Sequence, residues 1–270
     1  MHAREAAPQV GLTPAETTFV VQGYGNVGSW AARIMQQLGA KMVGASDAHV
    51  LVEDVVEPDR QLLEMHPHIY MPMIGTAEVV AKRYNISREQ QDAYSLQSQQ
   101  RTAAAQAAGK FDDEIIACTA TMAIVDKETK EVSYKEVTAN KDDCNRPDTT
   151  LEGLSSLKPV MGEGHTTTGG NASQLSDGSA ALVIMEGATA AKKGLAPLGR
   201  FIGMSVAGTE PDEMGIGPVF AVPKLMKRAG LKIDDIDLWE LNEAFAVQVV
   251  YCRDRLGLPN DRLNVDGGAI

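Results

Sequence analysis

No run of apolar residues in this 270-residue chain approaches the roughly 20 needed to cross a bilayer. Positive charge is also short. Lys and Arg number 25 against 36 Asp and Glu, for a formal net charge of −11. A general nucleic-acid or membrane-surface binder needs a basic face, so neither partner is expected. Cysteine is scarce: Cys118, Cys144 and Cys252 are odd in number and not at metal-ligand spacing. That excludes a disulfide framework or a cysteine zinc site and suggests a reducing compartment. The opening residues, MHAREAAPQ, hold no apolar signal core, and a cytoplasmic location is the expectation. What is present is ordinary for a globular protein, with 44% hydrophobic and 23% charged residues, enough for one or two domains.

The first block is a strand–glycine–helix–strand pattern. Phe19–Val21 is β-like, Gly23-Tyr24-Gly25-Asn26-Val27-Gly28 is a G-x-G-x-x-G, and a helical pattern runs from Val27 to Leu38. KMVGAS then reads as a second strand ending at Asp47, 19 residues after Gly28. Gly23 and Gly25 permit a tight turn and close approach of a pyrophosphate, and Gly28 lets helix and strand pack. Asp47 is placed to accept hydrogen bonds from a ribose. The words VVQGYGNVG and LGAKMVGASD resemble the coenzyme domain of glutamate/leucine-type amino-acid dehydrogenases. That resemblance spans about residues 11–50 and implies a Rossmann-like βαβ fragment able to touch NAD.

A different text begins at about 50–62. The acidic segment with Pro58, Pro67 and Pro72 reads as irregular, and His66 and His68 as loop residues. TAEVVAKRY has helical spacing. Ser87-Arg88-Glu89-Gln90 is a capping box opening a long helix that Gly109 stops, and its polar face is read as needing no function. FDDEIIAC and KEVSYKEVT read as strands around the charged turn DKETK, and the turn-rich DDCNRPDTTLEGLSS leads to a short helix. Small residues crowd 166–179, where a backbone can approach an extended ligand or simply form a loose loop. Further strands are expected at 180–185, 199–208 and 236–241. Helices are expected from about 221, because Pro223 fits poorly in a helix interior, and after NEAF up to Gly257.

Several of these segments, in order, resemble the thiolases. They are TAEVVAKRYNISREQQDAYSLQSQQRTAAAQAAGKFDDEI, RPDTTLEGLSSLKPV, GGNASQLSDGSAALVIM, MGIGPVFAV, LWELNEAFAVQ and NVDGGAI, together covering roughly 62–270. The resemblance implies an α/β fold, partly a layered α-β-α-β-α body with a loop domain, preceded by the Rossmann-like fragment. The organisation expected is 1–50 as that fragment, 51–165 as linker and loop-domain region, and 166–270 as the end of one thiolase half and the start of the next. It also implies acyl transfer between coenzyme A thioesters, with such a thioester as substrate. Asn242 of NEAF would hold an oxyanion-hole water, although an asparagine before a helix also reads as an N-cap. Met73, Ala172, Ser173, Met214, Ala244 and Phe245 would line the pantetheine channel, and Arg146 would sit near the adenine and phosphates. MPMIGTAE departs from the family's HMGxTAE by placing Pro72 where the histidine stands.

The family's reacting groups are a nucleophilic cysteine in a C-x-S-G turn, a histidine in GHP and a second cysteine. None of the three cysteines has that context. NVDGGAI is where the family runs on toward the histidine loop, so the expectation is a catalytically incomplete chain acting as a homo-oligomer or with a complementing partner. The alternatives are a dehydrogenase-like NAD(P)-binding fusion and a non-catalytic chimera. Calorimetric titration with NAD should give at most roughly millimolar binding, worth about 4 kcal/mol. One βαβ unit supplies only half of a dinucleotide crevice. Micromolar binding lost in Asp47→Ala would reverse that expectation.

Overall fold

The computed structural model describes residues 18–22, 41–46, 60–175 and 182–270. In chain order these form β1 (Thr18–Gln22) and β2 (Lys41–Ser46), then α1 (Arg60–Met65), α2 (Met73–Arg83) and α3 (Arg88–Ala107). Next come β3 (Cys118–Val125), β4 (Val132–Ala139), α4 (Leu151–Ser155) and α5 (Gly187–Lys192). A 3-10 segment at Pro211–Ile216 precedes α6 (Pro218–Ala229), a short 3-10 turn follows at Ile233–Asp235, and α7 (Ala246–Leu256) comes last. The chain divides into two compact units.

The unit that bears on function contains 58–115, 141–176 and 202–270. Its core is built from one face each of α2 and α7. Val80, Ala77 and Ala81 meet Val247, Val249, Val250 and Ala246, with Ile216, Leu263 and Ile270 closing the cluster. Burying such side chains is worth about 1.5–3 kcal/mol each, and this cluster holds the element ends that carry the polar loops. Tyr84 and Tyr251 stack across α2 and α7 at 4.0 Å between ring centroids, worth about 1 kcal/mol beyond burial.

α3 forms as expected and packs otherwise than expected. The Ser87 hydroxyl accepts from the Gln90 amide at 3.3 Å, and the Ser87 amide donates to Gln90 Oε1 at 2.8 Å, the reciprocal pair of a capping box. The polar face, however, is not left to solvent. Gln91, Asp92, Ser95, Ser98 and Gln99 are all buried. These residues recur at helical spacing, so they form one stripe, and a buried polar stripe requires partners. Loops supply them.

The other unit holds the β1–β2 pair, the β3–β4 hairpin and α5. β1 and β2 run parallel, with Thr18 opposite Lys41 and Gln22 opposite Ser46. They match the two strands read from the first block. Gly23, Gly25, Gly28 and Asp47 lie outside the described residues. β3 and β4 pair antiparallel from Cys118–Ala139 to Val125–Val132. Asp126 closes their turn by accepting from the amides of Glu128 and Thr129 at 2.9 and 2.7 Å.

Several expected strands are corrected. FDDEIIAC is a turn at 111–114, and its strand starts only at Cys118. The described part of 180–185 and all of 199–208 lie outside any strand, although Phe201, Met204 and Val206 are apolar and exposed. At 236–241 there is a single parallel bridge, Trp239 to Leu263. Local β propensity is visible in a sequence, whereas pairing depends on a distant partner. α6 starts at Pro218 rather than near 221. Pro218 occupies the first turn, where a missing N–H costs nothing, and Pro223 lies on the exposed side.

The helices α3, α6 and α7 end where expected, at Gly109, Gly230 and Gly257. Gly267 has a stricter reason to be glycine. Its φ is +91°, and a Cβ there would overlap the side chain and backbone of Thr102 on α3. Gly267→Ala should therefore cost at least about 2 kcal/mol, from strain and overpacking together. Gly230 is also left-handed but faces open space, so Gly230→Ala should cost about 1–2 kcal/mol. Urea midpoints of the two variants, compared at equal slope, check the difference.

Candidate functional site

Two loops meet in the larger unit. The first is HTTTGGNASQ, 165–174, and three carboxylates or amides pin it. Glu78 on α2 accepts from the amides of Thr166 and Thr167, at 3.0 and 2.6 Å to Oε1. Asp92 on α3 accepts from the Asn171 side-chain amide at 3.0 Å. Asn171 in turn accepts from the Thr168 amide at 2.8 Å and donates to the Thr166 carbonyl at 3.0 Å. The far side of Asp92 is held by Arg88 at 2.7 Å, and Arg88 also donates to the carbonyls of Leu154 and Leu157. A loose loop is thereby excluded. Gly170 also owes its size to packing, since a Cβ would press on Leu154 and Leu157 at 2.6 and 2.7 Å.

The second loop is LNEAF, 241–245. It joins the first by an antiparallel bridge between Ala172 and Phe245. The Ser173 amide donates to the Ala244 carbonyl at 3.0 Å, and the Ala246 amide donates to the Asn171 carbonyl at 2.9 Å. Thus four residues expected at the ligand channel, Ala172, Ser173, Ala244 and Phe245, form one backbone joint. All four are half-buried. The Gln174 amide continues the joint by donating to the Ala269 carbonyl at 3.4 Å.

Asn242 lies beside this joint with its side chain exposed. The N-cap of α7 is Phe245, whose side chain cannot cap. Asn242 sits three residues upstream, so the N-cap alternative is corrected. Glu243 is fully buried and accepts from Tyr94 at 2.6 Å, Ser98 at 2.7 Å, Asn264 at 2.9 Å and the Ile270 amide at 3.2 Å. Burial and the adjacent Glu243 charge raise the Tyr94 pKa, which keeps its hydroxyl a donor. Gly268 must be glycine because a Cβ would overlap the Glu243 carboxylate.

The remaining expected residues are placed around these loops. Arg146 is exposed, and its backbone amide donates to Gln99 Oε1 at 2.7 Å. Gln174 donates to the Cys144 carbonyl at 2.7 Å, which ties the Arg146 turn to the first loop. Met73 opens α2 and Met214 lies in the 3-10 segment that packs on α2, and both are about half exposed. Arg83 clamps that segment by bonding Asp212 and Glu213, each at 2.6 Å. The Arg83 hydrogen bond holds the Asp212 carboxyl below its ordinary pKa. None of the three cysteines is in a disulfide. Cys118 and Cys144 are exposed. Cys252 is buried within α7, and desolvation pushes its thiol up to about 12, the opposite of an activated nucleophile.

Sequence reasoning missed Glu78, Asp92, Asn171, Glu243 and Asn264. The available signal is the short polar stripe on α3, a face that the sequence alone reads as needing no function. Asp92→Ala tests its weight. It removes the partner of both Arg88 and Asn171 and should cost about 3 kcal/mol, as for breaking a buried pair. Urea unfolding should show that loss, and ready cleavage by protease should follow within 165–174.

The comparisons with known proteins bear on the whole chain. Residues 32–188 match the thiolase N-terminal domain model and 195–270 the thiolase C-terminal domain model. The first match begins inside the block read as dehydrogenase-like. The chain is 47% identical over 215 residues to peroxisomal 3-ketoacyl-CoA thiolase 1 of Arabidopsis thaliana, covering 80% of this chain and 48% of that protein. It resembles the dimeric peroxisomal thiolase of Saccharomyces cerevisiae with a TM-score of 0.80 at 27% identity, covering 97% of this chain and 75% of that one. For human mitochondrial 3-ketoacyl-CoA thiolase in complex with CoA the values are 0.78 and 28%, covering 99% and 78%. The chain spans about half the length of the curated relatives it matches. Two family domains matched in order, with the NEAF and GGNAS loops joined as one structure, show that the chain belongs to the thiolase family.

Proposed function

We propose that this chain binds a coenzyme A thioester along the joint of its two loops and serves thiolase-type acyl transfer. The observation that carries the reading is the backbone joint itself, which gathers Ala172, Ser173, Ala244 and Phe245 into one half-buried edge. A half-buried edge with the small side chains of Ala172, Ser173 and Ala244 suits close approach of an extended amide ligand such as pantetheine. Arg146 is exposed and planar, suited to stack on adenine and pair with phosphate. Asn242 presents a neutral amide beside the same edge, suited to hold a water at a thioester oxygen as negative charge develops. The thiolase likeness of the chain and the CoA complex of the human relative support the choice of ligand.

The division of labour follows from the cysteines. Thiolase chemistry needs an activated thiolate; burial pushes the Cys252 thiol up, and neither Cys118 nor Cys144 lies in the family's C-x-S-G context. The chain's part is therefore to bind and orient the thioester. The reacting groups would come from a complementing partner, since a second copy, as in the dimeric yeast relative, would bring only the same three cysteines. Among the described residues nothing calls for a nicotinamide cofactor. The cytoplasmic location expected from the sequence stands beside the peroxisomal name of the Arabidopsis relative.

Acetyl-CoA titrated into the purified chain should bind with a dissociation constant between about 1 μM and 1 mM, the range of enzyme–substrate affinities. Arg146→Ala should weaken acetyl-CoA and free CoA alike by about tenfold, or ~1.4 kcal/mol. Acetoacetyl-CoA should not be thiolysed above the uncatalysed rate. Binding absent at several millimolar would sink the proposal, and thiolysis abolished by Asn242→Ala would sink the division of labour.

A further inference from the structure

Glu243 lies next to Asn242, yet it faces the other way. Burial alternates along Asn242, Glu243 and Ala244, which are exposed, fully buried and half-buried. No side-chain hydrogen bond among the described residues holds the Asn242 amide, so its direction is set by the backbone on either side. That backbone is held through Glu243.

The carboxylate has two oxygens and about four acceptor sites. Oε1 receives Tyr94 and Asn264, and Oε2 receives Ser98 and the Ile270 amide. Those donors come from α3, from the segment after α7 and from Ile270. Asn264 is itself fixed, donating to the Leu241 carbonyl at 2.8 Å and accepting from the Leu241 amide at 2.8 Å. Asn242 is thus bracketed by two clamped residues, Leu241 and Glu243. Among the described residues no cation pairs with Glu243. For core stability alone an apolar replacement of the carboxylate together with its side-chain donors would serve as well, because a buried charge is expensive to desolvate. A fully satisfied polar network specifies one arrangement, where apolar packing tolerates several.

We propose that Glu243 is a positioning residue. It fixes the direction of the Asn242 amide and the register of the Ala172–Phe245 bridge without touching the ligand. The effect on ligand rests on the coenzyme A reading above, whereas the effect on the loop does not.

Glu243→Gln is the informative variant. It keeps the shape but sets an NH2 group against donors, and whichever way the amide turns, either Asn264 or the Ile270 amide faces a donor. Tyr94→Phe and Ser98→Ala each remove one donor and keep the carboxylate, which covers the case in which Glu243→Gln does not fold. Gly230→Ala is the control for stability loss remote from the loop. Two readouts are taken: hydrogen exchange at the amides of Ser173 and Ala246, and acetyl-CoA affinity by calorimetry.

The expected result is exchange at least tenfold faster at both amides in Glu243→Gln, with smaller increases in Tyr94→Phe and Ser98→Ala. Acetyl-CoA binding should weaken about tenfold in Glu243→Gln and stay unchanged in Gly230→Ala. Exchange no faster than in the native chain, or no faster than in Gly230→Ala when stability is matched, overturns the loop role whether or not ligand binds. Faster exchange with native acetyl-CoA affinity overturns the positioning role. A native chain that binds no acetyl-CoA overturns the proposed function instead, and the exchange data separate that failure from this one.

Discussion

Removing a carboxylate from water costs several kcal/mol unless hydrogen-bond donors take the water's place, and Glu243 is wholly out of solvent. Its four donors lie 149, 145, 21 and 27 residues away along the chain. To satisfy one side chain the structure must bring α3, the segment after α7 and Ile270 to a single point. Gly268 is small because the carboxylate occupies the space of a Cβ, and Gly267 is left-handed because α3 passes against it. Arg101 strengthens the same arrangement by donating to the carbonyls of Leu263, Asn264 and Asn260. The glycine pair in NVDGG is the footprint of a helix and a buried charge.

Asp92 does for the first loop what Glu243 does for the second. Both carboxylates are buried, and each answers a side-chain amide, Asn171 in one case and Asn264 in the other. Both depend on α3, which contributes Asp92 itself and, for Glu243, Tyr94 and Ser98. This explains a helix that looks wrong by hydropathy. Its mean apolar content is low, yet its inner stripe is among the most buried surface of the unit. The hydrophobic cluster of α2 and α7 supplies the driving force for the unit, and the polar stripe of α3 decides where the loops lie.

The parts legible in the sequence were those with local causes. Capping at Ser87, the glycine stops of α3, α6 and α7, the turn DKETK and the short helix after the turn-rich 142–150 each depend on a few neighbours, and each forms. The thiolase likeness was legible because several motifs occur in register. What escaped were pairings set by distant segments. GRFIGMSVAG alternates like a strand, but a strand needs a partner that no local pattern reveals. The polar face of α3 reads as needing no function for the same reason, since burial of Asp92 and Ser98 is decided by loops 79 and 145 residues away. NEAF was quoted for its asparagine, while the adjacent glutamate carries the architecture.

That neighbouring pair shows how a site can separate presentation from support. Asn242 is exposed and unclamped by any side chain among the described residues, while Glu243 is buried and bonded at every acceptor. An exposed amide that carried its own anchoring bonds would spend its donor and acceptor on the protein. A buried neighbour that supplies the anchoring leaves both free for ligand or water. The same separation appears at the first loop, where Asn171 takes the anchoring bonds and Ala172 and Ser173 make the joint. In each loop a fully satisfied polar side chain stands directly before or after the residue that faces outward.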